Sequence, residues 1–256
     1  MLAVVSPAKK LNFDTPAVEI DATTPVFITQ ANQLADVAKK LSRSDLRDMM
    51  KISDKLADLN YHRFQDFSKN PTDDQTKQAA LAFAGDTYTG LDAASFDEDD
   101  LTFAQNNFRI LSGLYGLLSP LDAIQPYRLE MGRKLKTKAG ETLYDYWGAK
   151  ISNLIDEQLA DHKSKTVVNL ASQEYFKVID QTALNARVLN IIFKEQRGND
   201  LKIISFLAKK ARGSMARYII KNRILGTQAL KDFTTGGYKY QPELSDENNW
   251  TFTRDQ

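Results

Sequence analysis

The stretch from Phe108 to Gly132 constrains the fold more than any other part of the sequence. It reads FRILSGLYGLLSPLDAIQPYRLEMG and sets glycines and prolines at intervals into an apolar frame. Gly113 and Gly116 lie between two apolar runs, and glycine accepts the positive φ that tight turns need. The pattern predicts a tight turn between two short helices. The free backbone N–H groups of such a turn can hold a phosphate. An ordinary packed helix corner is the alternative interpretation.

Length and composition indicate a globular protein with a sizeable core. The chain has 256 residues, of which 42% are hydrophobic and 26% are charged, as in ordinary soluble domains. No apolar run approaches the roughly 18 residues of a membrane span. The apolar start before Ser6 and Pro7 is too short for a signal-peptide core and predicts a buried strand instead. We therefore expect a cytoplasmic protein with no membrane partner.

The residue types that the sequence lacks exclude several kinds of site. Without cysteine there is no disulfide, thiolate nucleophile, Cys-ligated zinc or iron–sulfur cluster. His62 and His162 are the only histidines and lie a hundred residues apart. We expect no metal and no cofactor, although a carboxylate site for a hard cation stays open.

The periodicity of apolar residues predicts one mixed α/β domain over residues 1–256, with a mixed sheet surrounded by helices. The sequence contains no internal repeat and no clean linker. The predicted strands are 1–5, 166–170, 186–193, 201–206 and 250–253. The predicted helices are 29–41, 44–59, 73–83, 95–111 with a capping box from Ser95, 142–162, a start at Ser172, and 208–225 with a stop at Gly226.

The net charge of +1 conceals a strong asymmetry along the chain. Residues 85–100 contain six acids and no base, whereas residues 205–223 contain no acid. On the predicted helix 208–225, Lys210, Arg217 and Lys221 fall within about 40° of one another and form one stripe. Such a stripe suits a line of nucleic-acid phosphates, and a solvated helix face is the alternative. The bases of this segment are Lys209, Lys210, Arg212, Arg217, Lys221 and Arg223.

Polar residues follow two of the predicted strands, at the position where open α/β sheets bind ligands. Lys9 and Lys10 come after the first strand, and Asn169, Ser172 and Glu174 come at or after the strand 166–170. We expect Lys9 to hold a phosphate or carboxylate. Asp86, Ser172 and Glu174 are weak catalytic candidates, the second of these an equally good helix cap. Asp86 lies in the loop GDTYTG, where acids are commonly turn formers.

Five separated blocks of this sequence resemble the YaaA family of bacterial peroxide-stress proteins. They are SPAKKL near the start, LAFAGDTYTGL at 81–91, RILSGLYGLLSPLD with QPYRLEMG, NLAS-EYFK at 169–177, and ISFLAKKARGSMARYII ending at Ile220. The resemblance covers nearly the whole chain. It implies a cytoplasmic protein linked to survival of hydrogen peroxide and to lowered free iron. It also implies a single-domain fold peculiar to the family, with a basic cleft, a helix-hairpin-helix element and binding of double-stranded DNA.

The helix-hairpin-helix element that the resemblance implies maps onto the glycine segment. Such hairpins usually read apolar-x-Gly-apolar-Gly, and this sequence has one residue more between its glycines. Arg109 before the turn and Arg128 after it can each add a contact to a phosphate, or pair with a nearby acid. The candidate phosphate cradle consists of Ser112, Gly113, Leu114, Tyr115 and Gly116.

Three functions follow as hypotheses. The leading one is a peroxide-stress protein that binds double-stranded or distorted DNA, including junctions, through backbone phosphates with little sequence specificity. The second is an enzyme that acts on a nucleotide or damaged base, using Lys9, Asp86, Asn169, Ser172 and Glu174. The third is direct sequestration of iron, which the residue types disfavour.

Overall fold

A mixed β-sheet with five parallel strands at its centre organises the chain. The computed structural model describes residues 1–14, 20–198 and 200–255. The main sheet has the strand order β11-β12-β9-β8-β1-β5-β6, with β10 paired to β9, and two small ladders join β2 to β4 and β3 to β7. The strands are β1 Leu2–Val5, β2 Lys10–Leu11, β3 Lys77–Gln78, β4 Phe83–Ala84, β5 Phe108–Ser112, β6 Gly116–Leu118, β7 Ala123–Ile124, β8 Thr166–Leu170, β9 Arg187–Arg197, β10 Asp200–Lys202, β11 Lys239–Tyr240 and β12 Asn249–Asp255.

The helices cover this sheet and close one hydrophobic core. In α1, the buried residues Ala31, Leu34, Ala35 and Ala38 repeat at spacings of three and four, so one face of the helix packs inward. The helices are α1 Ile28–Ala38, α2 Arg43–Met50, α3 Asp54–Asp66, α4 Ala79–Ala82, α5 Asp86–Leu91, α6 Glu98–Asn107, α7 Leu143–Trp147, α8 Lys150–Leu159, α9 Gln173–Phe176 and α10 Ser205–Lys221. The predicted mixed α/β class is therefore confirmed.

Strand β1 lies at the centre of the molecule, and every residue in it is apolar and fully buried. It pairs in parallel with β5 on one side and with β8 on the other. A parallel strand covered on both faces needs a continuous apolar run, which LAVV supplies. The chain reaches β5 first and returns to β8 later, so the direction of winding reverses at β1. Such a reversal opens a crevice at the carboxyl ends of the strands.

Several predicted helices are interrupted by residues with positive φ. The predicted helix 44–59 is two helices, because Lys51 has a φ of 54° and ends α2. The predicted helix 142–162 is likewise broken by Gly148, which has a φ of 47° between α7 and α8. The apolar periodicity continues across each break, because the helices before and after it pack against the same core.

Other predictions were wrong in the type or in the bounds of an element. The segment 73–83 forms a 3₁₀ turn, the short β3 and the four-residue α4 rather than one helix. The helix predicted to begin at Ser95 begins after Asp97, whose side chain accepts from the backbone N–H of Asp100, and it ends at Asn107. Residues 201–206 contribute only the end of β10, and α10 has already begun at Ser205.

The glycine segment is a buried β-hairpin, so the predicted turn between two helices was wrong. Strands β5 and β6 pair antiparallel, with Ser112 opposite Gly116. The Ser112 hydroxyl accepts a hydrogen bond from the Tyr115 N–H at 2.9 Å. The Trp147 indole donates to the Gly113 carbonyl oxygen at 3.1 Å and lies against Gly116. The backbone of this turn is therefore buried and hydrogen-bonded within the core. The helix-hairpin-helix expected here is absent from residues 112–116.

Two glycines allow α5 and α10 to cross at backbone contact. A Cβ at Gly213 would lie 1.8 Å from the Thr87 carbonyl oxygen, and one at Gly90 would lie 2.1 Å from the Lys210 carbonyl oxygen. Neither position has room for any side chain. The crossing fixes the start of α5 beside the first turns of α10, and both border the crevice at the strand ends. None of the described helices has the length and apolar character needed to cross a membrane.

Candidate functional site

A cleft of about 430 Å³ lies at the carboxyl ends of β1 and β8. The residues after β1 form one wall, from Ser6 to Lys10, and the start of α9 forms a second. Gly85 and Asp86 at the start of α5 complete the lining together with α10. This volume is in the range of small-molecule sites. The predicted position of a ligand site at the strand ends thus coincides with a cleft.

Lys9, Lys10 and Asp86 meet because β2 pairs with β4. Lys10 lies opposite Ala84 in that ladder, which brings the chain after β1 beside the start of α5. All three side chains belong to exposed residues of the lining. The ammonium group of Lys9 lies 3.6 Å from the carboxylate of Glu130 at the edge of the cleft.

Helix α10 contributes Lys209 and Arg212 to the opposite wall. Lys209 is exposed, whereas Arg212 is half-buried and burial lowers the pKa of its guanidinium. The Nε of Arg212 has no hydrogen-bond partner among the residues that the structure describes. A buried N–H donor without an acceptor is uncommon in folded proteins and indicates that a polar partner is missing. Because Arg212 lines the cleft, a water molecule or a ligand atom with a lone pair can accept from it.

The wall formed by α9 is held by hydrogen bonds to Ser6, the residue that follows β1. Ser172 occupies the N-cap position, as predicted, yet its side chain makes no capping bond. Its hydroxyl instead accepts from the Ser6 hydroxyl at 3.2 Å, and its backbone N–H donates to the same Ser6 oxygen at 2.8 Å. The carboxylate of Glu174 accepts from the Gly132 N–H at 3.1 Å. The catalytic candidates Ser172 and Glu174 therefore line the cleft and have hydrogen-bond partners that fix them.

Asn169 does not line the cleft, and its side chain makes hydrogen bonds elsewhere. Its amide donates to the Asn190 side chain at 2.9 Å, and its oxygen accepts from the Ala171 N–H at 2.9 Å. Of the five polar residues predicted to converge, the cleft brings together Lys9, Asp86, Ser172 and Glu174.

The basic stripe on α10 is largely neutralised by the acidic segment of the chain. Arg217 donates to the carbonyl oxygens of Leu91 and Asp92 and to the Ser95 hydroxyl. Lys221 lies 2.6 Å from the buried carboxylate of Asp100. Lys210 is exposed, but the two residues that share its stripe serve internal contacts. The two oppositely charged segments of the sequence therefore pair with each other in the folded chain.

Arg223 joins the same group of ion pairs. Its guanidinium lies 2.6 Å from the Asp100 carboxylate, and its own φ is positive at 51°. Burial raises the pKa of Asp100, but hydrogen bonds from Lys221 and Arg223 outweigh that effect, so the pKa lies below its usual value.

The two arginines that flank the glycine segment also have internal roles. Arg109 is buried and donates to Gln158 at 2.8 Å and to the backbone carbonyl oxygens of Gln105 and Phe108. Burial lowers its pKa to about 10. Arg128 donates to the Glu130 carboxylate at 3.0 Å, which is the ion pair that the sequence left open as an alternative.

Glu130 is the residue beside the cleft that the sequence prediction missed. Its side chain is 3% exposed and pairs with Arg128, Arg133 and Lys9. A signal was present, because the run RLEMGR places an arginine two residues before this acid and another three residues after it. Acidic residues are mostly exposed, so the sequence alone did not suggest that this carboxylate is buried between paired arginines.

Metal-ligating side chains do not gather in the part of the chain that the structure describes. Over residues 1–14, 20–198 and 200–255, no group of three or more His, Asp or Glu side chains is placed to hold a metal ion.

Comparison with known proteins identifies the family. The family model of the peroxide stress protein YaaA matches residues 1–244. The chain belongs to the YaaA family. It is also similar to UPF0246 proteins over the full length: 50% identical over 256 residues in Caulobacter vibrioides, with 100% of both chains covered. The UPF0246 protein of Acaryochloris marina is 50% identical over 254 residues, covering 99% of this chain and 100% of that one. That of Colwellia psychrerythraea is 49% identical over 254 residues, covering 99% of each. As a YaaA family member this is a peroxide stress protein, and the resemblance seen in the sequence is confirmed.

Proposed function

We propose that this YaaA family protein acts in the cytoplasm by binding DNA through backbone phosphates in the cleft. The observation that carries the proposal is the charge of the lining. Four cationic side chains face two carboxylates, which leaves the cleft net positive. The cations are Lys9, Lys10, Lys209 and Arg212, and the carboxylates are Asp86 and Glu174.

The geometry supports contact with phosphates rather than reading of bases. The cations come from two walls of one concave site rather than from a single line along a helix. Phosphate contacts fix the position of DNA without carrying sequence information. We therefore expect double-stranded or distorted DNA, including junctions, to bind with little sequence preference and with strong dependence on salt.

Two segments that the sequence predicted to contact DNA are used inside the fold instead. The buried hairpin at residues 112–116 does not present its backbone outward, and Arg109 is used inside the core. Arg217 and Lys221 serve the acidic segment. Of the predicted DNA-binding cations, Lys9, Lys10, Lys209 and Arg212 line the cleft, whereas Lys210 is exposed outside its lining.

Single substitutions of the cleft cations test the proposal. In fluorescence anisotropy with a labelled duplex, Lys10→Gln, Lys209→Gln and Arg212→Gln should each weaken binding about fivefold, because one partly exposed charged contact contributes about 1 kcal/mol. Lys55→Gln is the matched control, since Lys55 is an exposed lysine on α3, away from the lining. Equal affinities for all four variants and the original chain would contradict the proposal.

A second function is favoured by the acids in the same cleft. Asp86, Ser172 and Glu174 face the cations across a volume that suits one nucleotide. Such a lining fits an enzyme that acts on a nucleotide or a damaged base. Incubation with oxidised deoxynucleotides and with DNA that contains oxidised bases, followed by mass spectrometry, should give a product that Asp86→Asn abolishes. An unchanged substrate pool would remove this candidate.

Limitation of free iron stays a prediction from the family resemblance. Direct iron binding is tested by calorimetry with ferrous iron under anaerobic conditions, and we expect no heat of binding.

A further inference from the structure

Glu130 has one carboxylate oxygen that is crowded with cations and one that is unused. Its Oε1 lies 3.0 Å from Arg128, 3.5 Å from Arg133 and 3.6 Å from Lys9. Its Oε2 is buried and has no hydrogen-bond partner among the residues that the structure describes. A buried carboxylate oxygen without a donor costs free energy, so its presence calls for a specific explanation.

A small cavity beside the cleft is lined in part by Glu130. Glu130 lines it together with Tyr127 and Arg128, and its volume is about 10 Å³. That space accommodates about one water molecule or one hydroxyl group. Lys9 and Tyr175 line both this cavity and the main cleft, so the two adjoin. A molecule in the cleft can therefore place one small polar group against Glu130.

The charge state of Glu130 decides what that polar group must be. Burial raises the pKa of Glu130, but the hydrogen bond and charge of Arg128 and the charge of Arg133 outweigh burial, and the pKa lies below its usual value. An ionised carboxylate only accepts hydrogen bonds. The group that fills the small cavity must therefore be a donor.

The cleft has the opposite requirement at α10. The unpartnered Nε of Arg212 is a donor and needs an acceptor, and Lys209 beside it adds positive charge. A complementary ligand carries an anion for α10 and a donor for Glu130. Phosphate and sugar hydroxyl combine both groups in one nucleotide, and a cleft of about 430 Å³ accommodates a single nucleotide unit.

We propose that the cleft binds one nucleotide unit, with its phosphate on Lys209 and Arg212 and a sugar hydroxyl donating to Glu130 Oε2. The inference rests on the proposed phosphate binding and adds the chemistry of the second contact. In DNA the 3′-hydroxyl exists only at a strand end, so the unit comes from a free nucleotide or from a 3′ end.

Calorimetry with the full chain and three probes tests the inference without any substitution. The probes are deoxyadenosine 5′-monophosphate, its 2′,3′-dideoxy analogue and inorganic phosphate. The deoxynucleotide should bind about tenfold or more tightly than the dideoxy analogue, the factor expected for one hydrogen bond to a charged group. Equal affinities for the two nucleotides, with phosphate still binding, would overturn the role of Glu130 alone. Failure of all three probes to bind would overturn the phosphate site as well.

A substitution then assigns the discrimination to Glu130. Glu130→Gln keeps the shape but loses the charge, so the preference for the hydroxyl should fall to about threefold or less. Glu141→Gln, at an exposed acid paired with Lys136, is the matched control and should keep the full preference. Full preference in Glu130→Gln would overturn the assignment. If Glu130→Gln does not fold, which circular dichroism would show, the comparison of probes with the unaltered chain decides.

The source of the unit is distinguished with oligonucleotides. A single strand with a 3′-hydroxyl and the same strand with a 3′-dideoxy end are compared by anisotropy. A preference for the hydroxyl end of at least about tenfold assigns the site to DNA ends. Equal binding of the strands, with the preference retained for mononucleotides, assigns it to free nucleotides.

Discussion

Gly213→Ala tests whether the crossing of α5 and α10 holds the cleft together. The added Cβ would lie 1.8 Å from the Thr87 carbonyl oxygen and 2.8 Å from the Leu91 nitrogen. Both neighbours are backbone atoms, so no rotamer change relieves the clash, and the helices must separate by about 1.5 Å to reach ordinary contact distance.

The magnitude follows from two opposing effects. Overpacking of this kind costs about 1–3 kcal/mol and occasionally more. Alanine in a helix interior is favoured over glycine by about 1 kcal/mol, which offsets part of the cost. Because the clash joins backbone to backbone, we expect the upper end, a net loss of about 2 kcal/mol. For a chain of this size that loss lowers Tm by about 4–8 °C.

Thermal unfolding and DNA binding together provide the assay. Helix α5 begins at Asp86 and α10 carries Arg212, so separation of the helices widens the cleft, and DNA affinity should fall together with Tm. Gly226→Ala is the control, since a Cβ there meets nothing within 4 Å and should leave both quantities unchanged. A Gly213→Ala variant as stable as the original chain would refute the reasoning.

Two further predictions concern the hairpin and the acidic segment. At Gly116 the φ is +70° and an added Cβ would lie 2.7 Å from Trp147. Gly116→Ala should therefore lower the free energy of unfolding in urea by about 1–3 kcal/mol, while the folded fraction keeps its DNA affinity. Loss of binding at unchanged stability would contradict the buried placement of this turn. Asp100→Asn should lower the free energy of unfolding by about 1–3 kcal/mol at neutral pH, because Lys221 and Arg223 lose a charged acceptor. The pKa of Asp100 is lowered in the folded state, so the stabilisation by its carboxylate is present above the usual pKa and is lost as pH falls through the folded-state pKa. The difference in free energy of unfolding between Asp100→Asn and the original chain should therefore shrink in acid. A difference that stays constant down to about pH 2 would contradict this prediction.

The parts of the fold that local sequence determines were predicted well. The run LAVV is continuously apolar and TVVNL is β-branched and mostly buried, and burial at the centre of a parallel sheet explains why both strands are clear in the sequence. The site at the ends of these strands was predicted from the same logic, and Lys9, Ser172 and Glu174 do share one cleft.

The remaining features depend on contacts between distant segments. Gly113 and Gly116 are compatible with a helical corner or a β-hairpin, and packing of Trp147 against the turn selects the hairpin. The acid-free helix suggested a polyanion, yet Arg217 and Lys221 contact residues more than a hundred positions earlier. Charge in one window of sequence says nothing about where its counter-charge lies. Glu130 has two local cations that the sequence shows, but its third cation, Lys9, lies more than a hundred positions earlier in the chain.

The central claim is that the cleft carries the phosphate contacts, and the salt dependence of DNA binding measures this most directly. Each neutralised phosphate contributes about −0.9 to the slope of log affinity against log salt. The double variant Lys209→Gln/Arg212→Gln should reduce the magnitude of that slope by about 0.9, because the two cations contact one phosphate, while Lys55→Gln leaves it unchanged. An unchanged slope in the double variant would contradict the account.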